Sequence, residues 1–185
     1  MKLIVLTAPS GAGKTTIARR VLAAFPRLSF SVSATTRPPR PGEIDGVHYF
    51  FLTESEFRAR LRTDAFLEHE EVYPGRFYGT LRTEVERSAA DGGVLLDIDV
   101  KGALNVKRRY AADALTLFVR PPSLHVLAER LSDRATETPE TLRLRLERAE
   151  LELGYADRFD HVVTNDDLET AVSETLALVG TFLGG

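Results

Sequence analysis

The nine residues APSGAGKTT (8–16) stand between the apolar run KLIVLT (2–7) and the segment IARRVLAAF (17–25). A strand that turns through glycines into a helix aims successive backbone N–H groups at one point, at the positive end of the helix dipole. Gly13, Lys14 and Thr15 occupy the closing positions of the pattern G-x-x-x-x-G-K-[ST], and Ala8 stands at its first position. An alanine there is tolerated where the strand ends without positive φ. Ala8, Pro9, Ser10, Gly11, Ala12, Gly13, Lys14, Thr15 and Thr16 are therefore expected to cradle phosphate. Lys14 is placed for the β- and γ-phosphates of a nucleotide, and the Thr15 hydroxyl for Mg2+. A turn that merely happens to carry a lysine is the bland alternative. The strand before it and the helix after it argue for the cradle.

The remaining chain alternates in the same way. VLLDIDV (94–100) reads as a buried strand, TLFVRPP as a strand stopped by Pro121-Pro122, and HVVTN as a last short strand. Helices are predicted over about 14–25, from LRTEVERSAAD to Gly92-Gly93, over about 124–132 behind Ser123, from Pro139 to about Tyr155, and through DDLETAVSETLALVGTFL. The order predicts an α/β fold: a P-loop parallel β-sheet core flanked by helices. Two stretches lie outside the alternation. The aromatic, proline-rich block 31–80 holds an aromatic strand VHYFFL, a capping box Thr53-Glu54-Ser55-Glu56 stapled by Leu52 and Phe57 with a helix to about Arg62, and a hairpin HEEVYPGRFYG. The block 123–155 is charged and helical. The expected organisation is one domain, with a core of 1–30, 81–122 and 156–185, an inserted mixed α/β module at 31–80 and a helical lid at 123–155.

Composition excludes several classes. The chain of 185 residues, 43% of them apolar, suffices for one domain with a proper core. Its net charge of −3, from 24 basic and 27 acidic residues, argues against a polyanion partner such as nucleic acid. The absence of cysteine excludes disulfides and thiol nucleophiles. MKLIVLTAPSG is too short for a secretory h-region, and no run approaches the ~20 apolar residues of a membrane span. A cytoplasmic protein without a membrane partner is expected, as a monomer or small homo-oligomer.

Asp97 and Asp99 alternate with Ile98, and a carboxylate at the end of such a strand is where phosphate-loop folds organise Mg2+. Asp99-Val100-Lys101-Gly102 also matches D-x-x-G, a GTPase switch element. A guanine-reading N-K-x-D is missing, which weakens the switch reading. In SATTRPPRPGEIDGVHY (33–49), Arg37 and Arg40 lie on a proline-stiffened backbone suited to forked recognition of a second phosphate. Tyr49 and Tyr78 add neutral donors. A solvated polyproline-like segment is the alternative. Two anion sites imply two phosphorylated ligands and phosphoryl transfer between them.

The segments APSGAGKTT, SVSATTRPPRPGEIDGVHYFF, DAFLEHEEV, FYGT, LLDIDVKGA, PPS and VTNDDLETA occur in the order and spacing of guanylate kinase, and the chain resembles that family over about residues 4–171. The resemblance implies ATP-dependent phosphorylation of GMP, and of dGMP, with Mg2+. It implies a guanine pocket of Ser33, Glu68 and Thr80 with Asp99 close by, and a GMP phosphate held by Arg37, Arg40, Tyr49 and Tyr78. A carboxylate suits guanine, whose N1–H and exocyclic amine are adjacent donors. Lid arginines Arg134, Arg145 and Arg130 are implied at the ATP phosphates, and Asn165 with Asp166 near the adenine. As catalytic groups the resemblance implies Lys14, Arg37, Arg134 and Arg145; His48, His69, His125 and His161 are bystanders.

Three positions depart from the family pattern. Asp133 and Ala135 replace lid glycines, YPGRFYG carries one extra residue expected at Pro74-Gly75, and Ala8 opens the phosphate loop. Two other readings remain: a non-catalytic guanylate-kinase-like binding module, and a related sugar-phosphate kinase. The intact Gly13-Lys14-Thr15 speaks against the first, and the Ser33, Glu68 and Asp99 set against the second.

Overall fold

The structure, a computed structural model, describes residues 1–88, 92–132 and 139–184. The expectations for Asp133, Arg134 and Ala135 lie outside the described residues.

β1 (Leu3–Thr7) is the middle strand of a five-stranded sheet. It is flanked by β7 (Gly93–Asp97) and then β2 (Leu28–Phe30) on one side, and by β8 (Ala114–Arg120) and then β9 (His161–Thr164) on the other. Every neighbouring pair is parallel. A parallel strand covered on both faces must be apolar throughout, which is why LIVL shows no alternation. Ile4 and Leu6 meet Ile17 and Val21 of α1 (Lys14–Ala24) and Val172 and Val179 of α7 (Leu168–Leu183). Leu3 and Val5 face the other way, toward Val100, Ala103 and Val106 of α4 (Val100–Tyr110).

A second sheet has the order β4 (Phe50–Phe51), β3 (Ala34–Thr35), β6 (Arg76–Leu81), β5 (Phe66–Tyr73). Helix α2 (Glu54–Arg62) covers it. The capping box forms as expected: Glu56 N donates to Thr53 Oγ1 at 3.2 Å, and Thr53 N donates to Glu56 Oε2 at 2.8 Å. The cap starts the helix where Phe57 turns inward, stacked on Phe66 with ring centroids 4.3 Å apart and lying 5.4 Å from Phe77. Helix α3 (Arg82–Ser88) returns the chain to the main sheet. Helices α5 (Leu124–Ser132) and α6 (Pro139–Leu153) pack through Leu127, Leu131 and Ala149.

Three local expectations are corrected. The strand expected over 94–100 stops at Asp97, because Asp99 caps α4, its Oδ1 accepting from Gly102 N at 2.7 Å. Helix α4 itself was not expected, since VKGALNVKRRY follows an apolar run with no turn signal between them. In VHYFFL the residues that join the sheet are Phe50 and Phe51, because the preceding residues form turns closed by Gly46 N donating to Tyr49 O at 2.8 Å. The hairpin closes tightly at Pro74-Gly75, with Tyr73 opposite Arg76. The extra residue therefore has no room at the turn, and the register slips between Glu71 and Tyr73, at Val72.

Phe57 is fully buried and joins α2 to the small sheet. Phe57→Ala is expected to cost about 3–5 kcal/mol, read from the urea midpoint at unchanged m-value.

Candidate active site

The phosphate loop turns on Gly13, whose φ of 95° is left-handed and whose Cβ, were there one, would overlap Asn165 Nδ2. Asn165 explains the shape of the loop. It is buried, its Nδ2 donates to Ala12 O at 2.8 Å, and its own backbone carbonyl accepts from Arg130 Nη2 at 3.1 Å. Lys14 opens α1 and forms an ion pair with Asp97, and its Nζ also donates to Ile98 O at 3.3 Å. Thr15 and Thr16 are exposed on the first turn.

Across the cleft, Glu68 of β5 is 6% exposed and Thr80 of β6 is fully buried. Thr80 Oγ1 donates to Glu68 Oε1 at 2.6 Å. Burial pushes the Glu68 carboxyl up to about 7 against that hydrogen bond, and the Asp99 charge adds to the push. Burial raises the Asp99 carboxyl as well, opposed by its bond from Gly102 N. Gly102 is what lets the two acids approach. A Cβ there would overlap Glu68 Oε2 and lie 3.2 Å from Asp99 Oδ1.

Arg37 is 8% exposed and does not line the cleft. Its guanidinium is forked onto Glu43, with both bonds at 2.6 Å, and lies 4.9 Å over the Tyr49 ring. Glu43 also accepts from Arg40 N at 2.7 Å. These bonds from Arg37 and Arg40 hold the Glu43 carboxyl down at about 2. Glu43 had not been singled out from the sequence. The signal available was an acid three residues past Arg40 in the turn RPGE.

One cleft of about 460 Å³ brings most of the expected residues together. The loop residues Ala8, Pro9, Ser10, Gly11, Gly13, Lys14, Thr15 and Thr16 form one end. Ser33, Arg40, Tyr49, Glu68 and Tyr78 form the other, with Asp97, Asp99 and Arg145 between them. Ala12, Thr80, Arg130 and Asn165 stand behind the wall, each bonded to another of the expected residues. Asp166 is exposed and does not line the cleft, and the cap of α7 is Asp167, whose Oδ1 accepts from Thr170 N at 2.8 Å. Arg148 and Glu152 of α6 also line the cleft, as do Val72, Gly79 and Ile98. Arg148 lies three residues past Arg145 on the same helix, and nothing in the sequence pattern marks Glu152.

A family model described as guanylate kinase matches residues 1–179. The guanylate kinase of Salinibacter ruber is 63% identical over 181 residues, covering 98% of this chain and 96% of the relative. The chain belongs to the guanylate kinase family. The guanylate kinase of Chlorobium luteolum is 52% identical, with coverage of 98% and 92%. The crystal structure of guanylate kinase from Anaplasma phagocytophilum superposes with a TM-score of 0.81 at 29% identity, over all of this chain and 87% of that one. Shikimate kinase from Bacteroides thetaiotaomicron, at 14% identity and a TM-score of 0.50 over 98% of both chains, shares the fold alone.

Glu68 gives a stability test within this family frame. Its folded pKa lies above the ordinary value of 4.5, so the folded state holds the proton more tightly than the unfolded one. This stabilisation is complete below about pH 4.5 and is lost as pH rises through about 7. Glu68→Gln keeps an acceptor for Thr80 and removes the titration. Urea unfolding at pH 5 and pH 8 is expected to show the variant gaining on the parent with rising pH, by on the order of 3 kcal/mol across the full window. A difference that stays flat with pH refutes the assignment.

Proposed function

We propose that this chain transfers the γ-phosphoryl group of ATP to GMP, giving ADP and GDP, and that it accepts dGMP in the same way. The observation that carries this reading is the placing of a phosphate loop and the buried Glu68 in one cleft. The identity of 63% to a guanylate kinase supports it.

ATP is taken by residues 8–16, with Lys14 on its β- and γ-phosphates, and with Arg145, Arg130 and Arg134 around the transferring group. Asn165 and Asp166 belong to the adenine side. Asn165 acts there by holding the loop through Ala12. GMP is taken by the module 31–80. Glu68, held by Thr80, accepts from guanine N1–H and the exocyclic amine, with Ser33 and Asp99 beside it. Arg40, Tyr49 and Tyr78 face the GMP phosphate, and Arg37 reaches it by exchanging its fork from Glu43. Residues 123–155 act as the lid, over a core of 1–30, 81–122 and 156–185.

Thr15 and Asp97 offer hard oxygen donors at the cleft, and Asp97 already holds a cationic head group in Lys14. They fit Mg2+, which keeps most of its ligands as water and substrate phosphate. Bound there, it would neutralise charge on the β- and γ-phosphate oxygens. The chain supplies position. A GMP phosphate oxygen attacks the γ-phosphorus in line, the new P–O bond forms as the bond to ADP breaks, and the attacking group needs no base because it is already ionised. Lys14 leaves Asp97 for the phosphates, and the arginines offset charge spread over the moving group.

The working location is the cytoplasm, as a monomer or small homo-oligomer with neither nucleic acid nor membrane as partner. The net charge of −3 argues against a nucleic-acid partner, and among the described residues no helix is long and apolar enough to cross a membrane.

Incubation with ATP, Mg2+ and each nucleoside monophosphate is expected to phosphorylate the guanine acceptors alone. Lys14→Ala should lower kcat about 10²–10³-fold in a coupled ADP-release assay; near-normal turnover refutes the mechanism. Glu68→Gln should erode the preference for guanine by about 1–3 kcal/mol in kcat/KM against other monophosphates. Unchanged discrimination sinks the pocket assignment.

A further inference from the structure

Helix α6 carries Arg145, Arg148 and Glu152 at spacings of three and four, which set them on one face. That face spans the cleft. At one end Arg145 Nη1 donates to Ser10 Oγ of the phosphate loop at 3.2 Å. At the other, Arg148 Nη1 donates to the backbone carbonyl of Val72 at 2.7 Å, while its Nε donates to Glu152 Oε1 at 2.7 Å. The inner side of the helix rests on α5 through Ala149, with Leu142 and Leu146 packed beside it.

Val72 is an unusual acceptor. It lies where the β5–β6 ladder loses register, between the pairs Glu71–Phe77 and Tyr73–Arg76. An extra residue in one strand is left out of the pairing, and its backbone groups turn away from the ladder. The carbonyl so released is the one Arg148 takes. Glu68 lies four residues earlier on the same strand, and both residues line the cleft. Holding Val72 therefore holds the strand that carries Glu68.

We propose that Arg148 is a positioning residue: bonded to the Val72 bulge and braced by Glu152, it latches α6 onto the small sheet and so carries Arg145 to the phosphate loop. This rests on the functional reading above, since Arg145 matters only if phosphate is transferred there. The guanidinium fork suits the task because one planar group donates to two acceptors at fixed angles, which a lysine does not do. The latch makes the acceptor module and the donor loop close on one helix as a unit.

The test uses the full chain, which has no cysteine, so two introduced thiols label cleanly. Leu151→Cys on α6 and Arg76→Cys on the hairpin are both exposed sites outside the cleft. Pulsed electron spin resonance between spin labels there is expected to give one narrow separation in the parent with ADP, GMP and Mg2+ present, and a broader, longer one with Arg148→Ala under the same conditions. In unlabelled protein the same change should lower kcat about tenfold with KM for ATP and GMP within about threefold, at unchanged Tm. Arg148→Lys should recover only part of the loss. Arg143→Ala, which removes the exposed pair with Glu147 at 2.6 Å on the same helix, should leave both readouts unmoved. A broad separation in the parent, an unchanged separation or kcat in Arg148→Ala, or an equal effect of Arg143→Ala overturns the latch. If the parent phosphorylates no monophosphate, the functional reading fails while the label separation still judges the latch.

Discussion

The parallel register that sets Leu6 beside Asp97 decides where everything in the cleft stands. Parallel neighbours end on the same edge, so the chain leaving β1 and the chain leaving β7 emerge side by side. The first becomes the phosphate loop, and the second supplies Asp97 and Asp99. Lys14 can reach Asp97 because of that register and no other. A slip of one residue would turn Asp97 into one of the apolar layers, against α1 or α4, at the cost of an unpaired buried carboxylate.

The charges arranged along that edge are balanced by place rather than by number. Lys14 answers Asp97, Arg148 answers Glu152, and Arg37 answers Glu43. Among the described residues Glu68 is held by the Thr80 hydroxyl and by no cation, and burial drives its carboxyl to about 7. A buried acid held by a neutral donor is poised for a ligand that brings its own donors. The phosphate end shows the opposite design. Two of its cations, Lys14 and Arg37, are already engaged by Asp97 and Glu43, so a nucleotide's phosphates would compete with those carboxylates for them.

Much of this was legible in the residues. Gly13-Lys14-Thr15 between a strand and a helix, the capping box at Thr53, and TTRPPRPGE were each local patterns, and local patterns survive without tertiary help. Helix α4 was hidden because Asp99, its cap, reads equally well as the end of the strand before it. Glu43 and Glu152 were hidden because a carboxylate on an exposed turn or an Arg-rich helix looks solvated until its partner is known. Asn165 was legible as a site residue, and its hold on the Ala12 carbonyl was not.

Residue pattern alone was enough for the glycine loop, for the α/β alternation around it and, through resemblance, for the family. Each depends on contacts within about a dozen residues, where backbone geometry follows from residue type. Distant contacts settled what meets around the cleft: Glu68 against Gly102, Asn165 on the Ala12 carbonyl, and Arg148 on a carbonyl freed by the Val72 bulge. The two hydrogen-bonded pairs among them lie 153 and 76 residues apart in the chain. Hydrogen bonds and ion pairs depend on distances of a few ångströms, and only the packed sheet and its two inserts fix them.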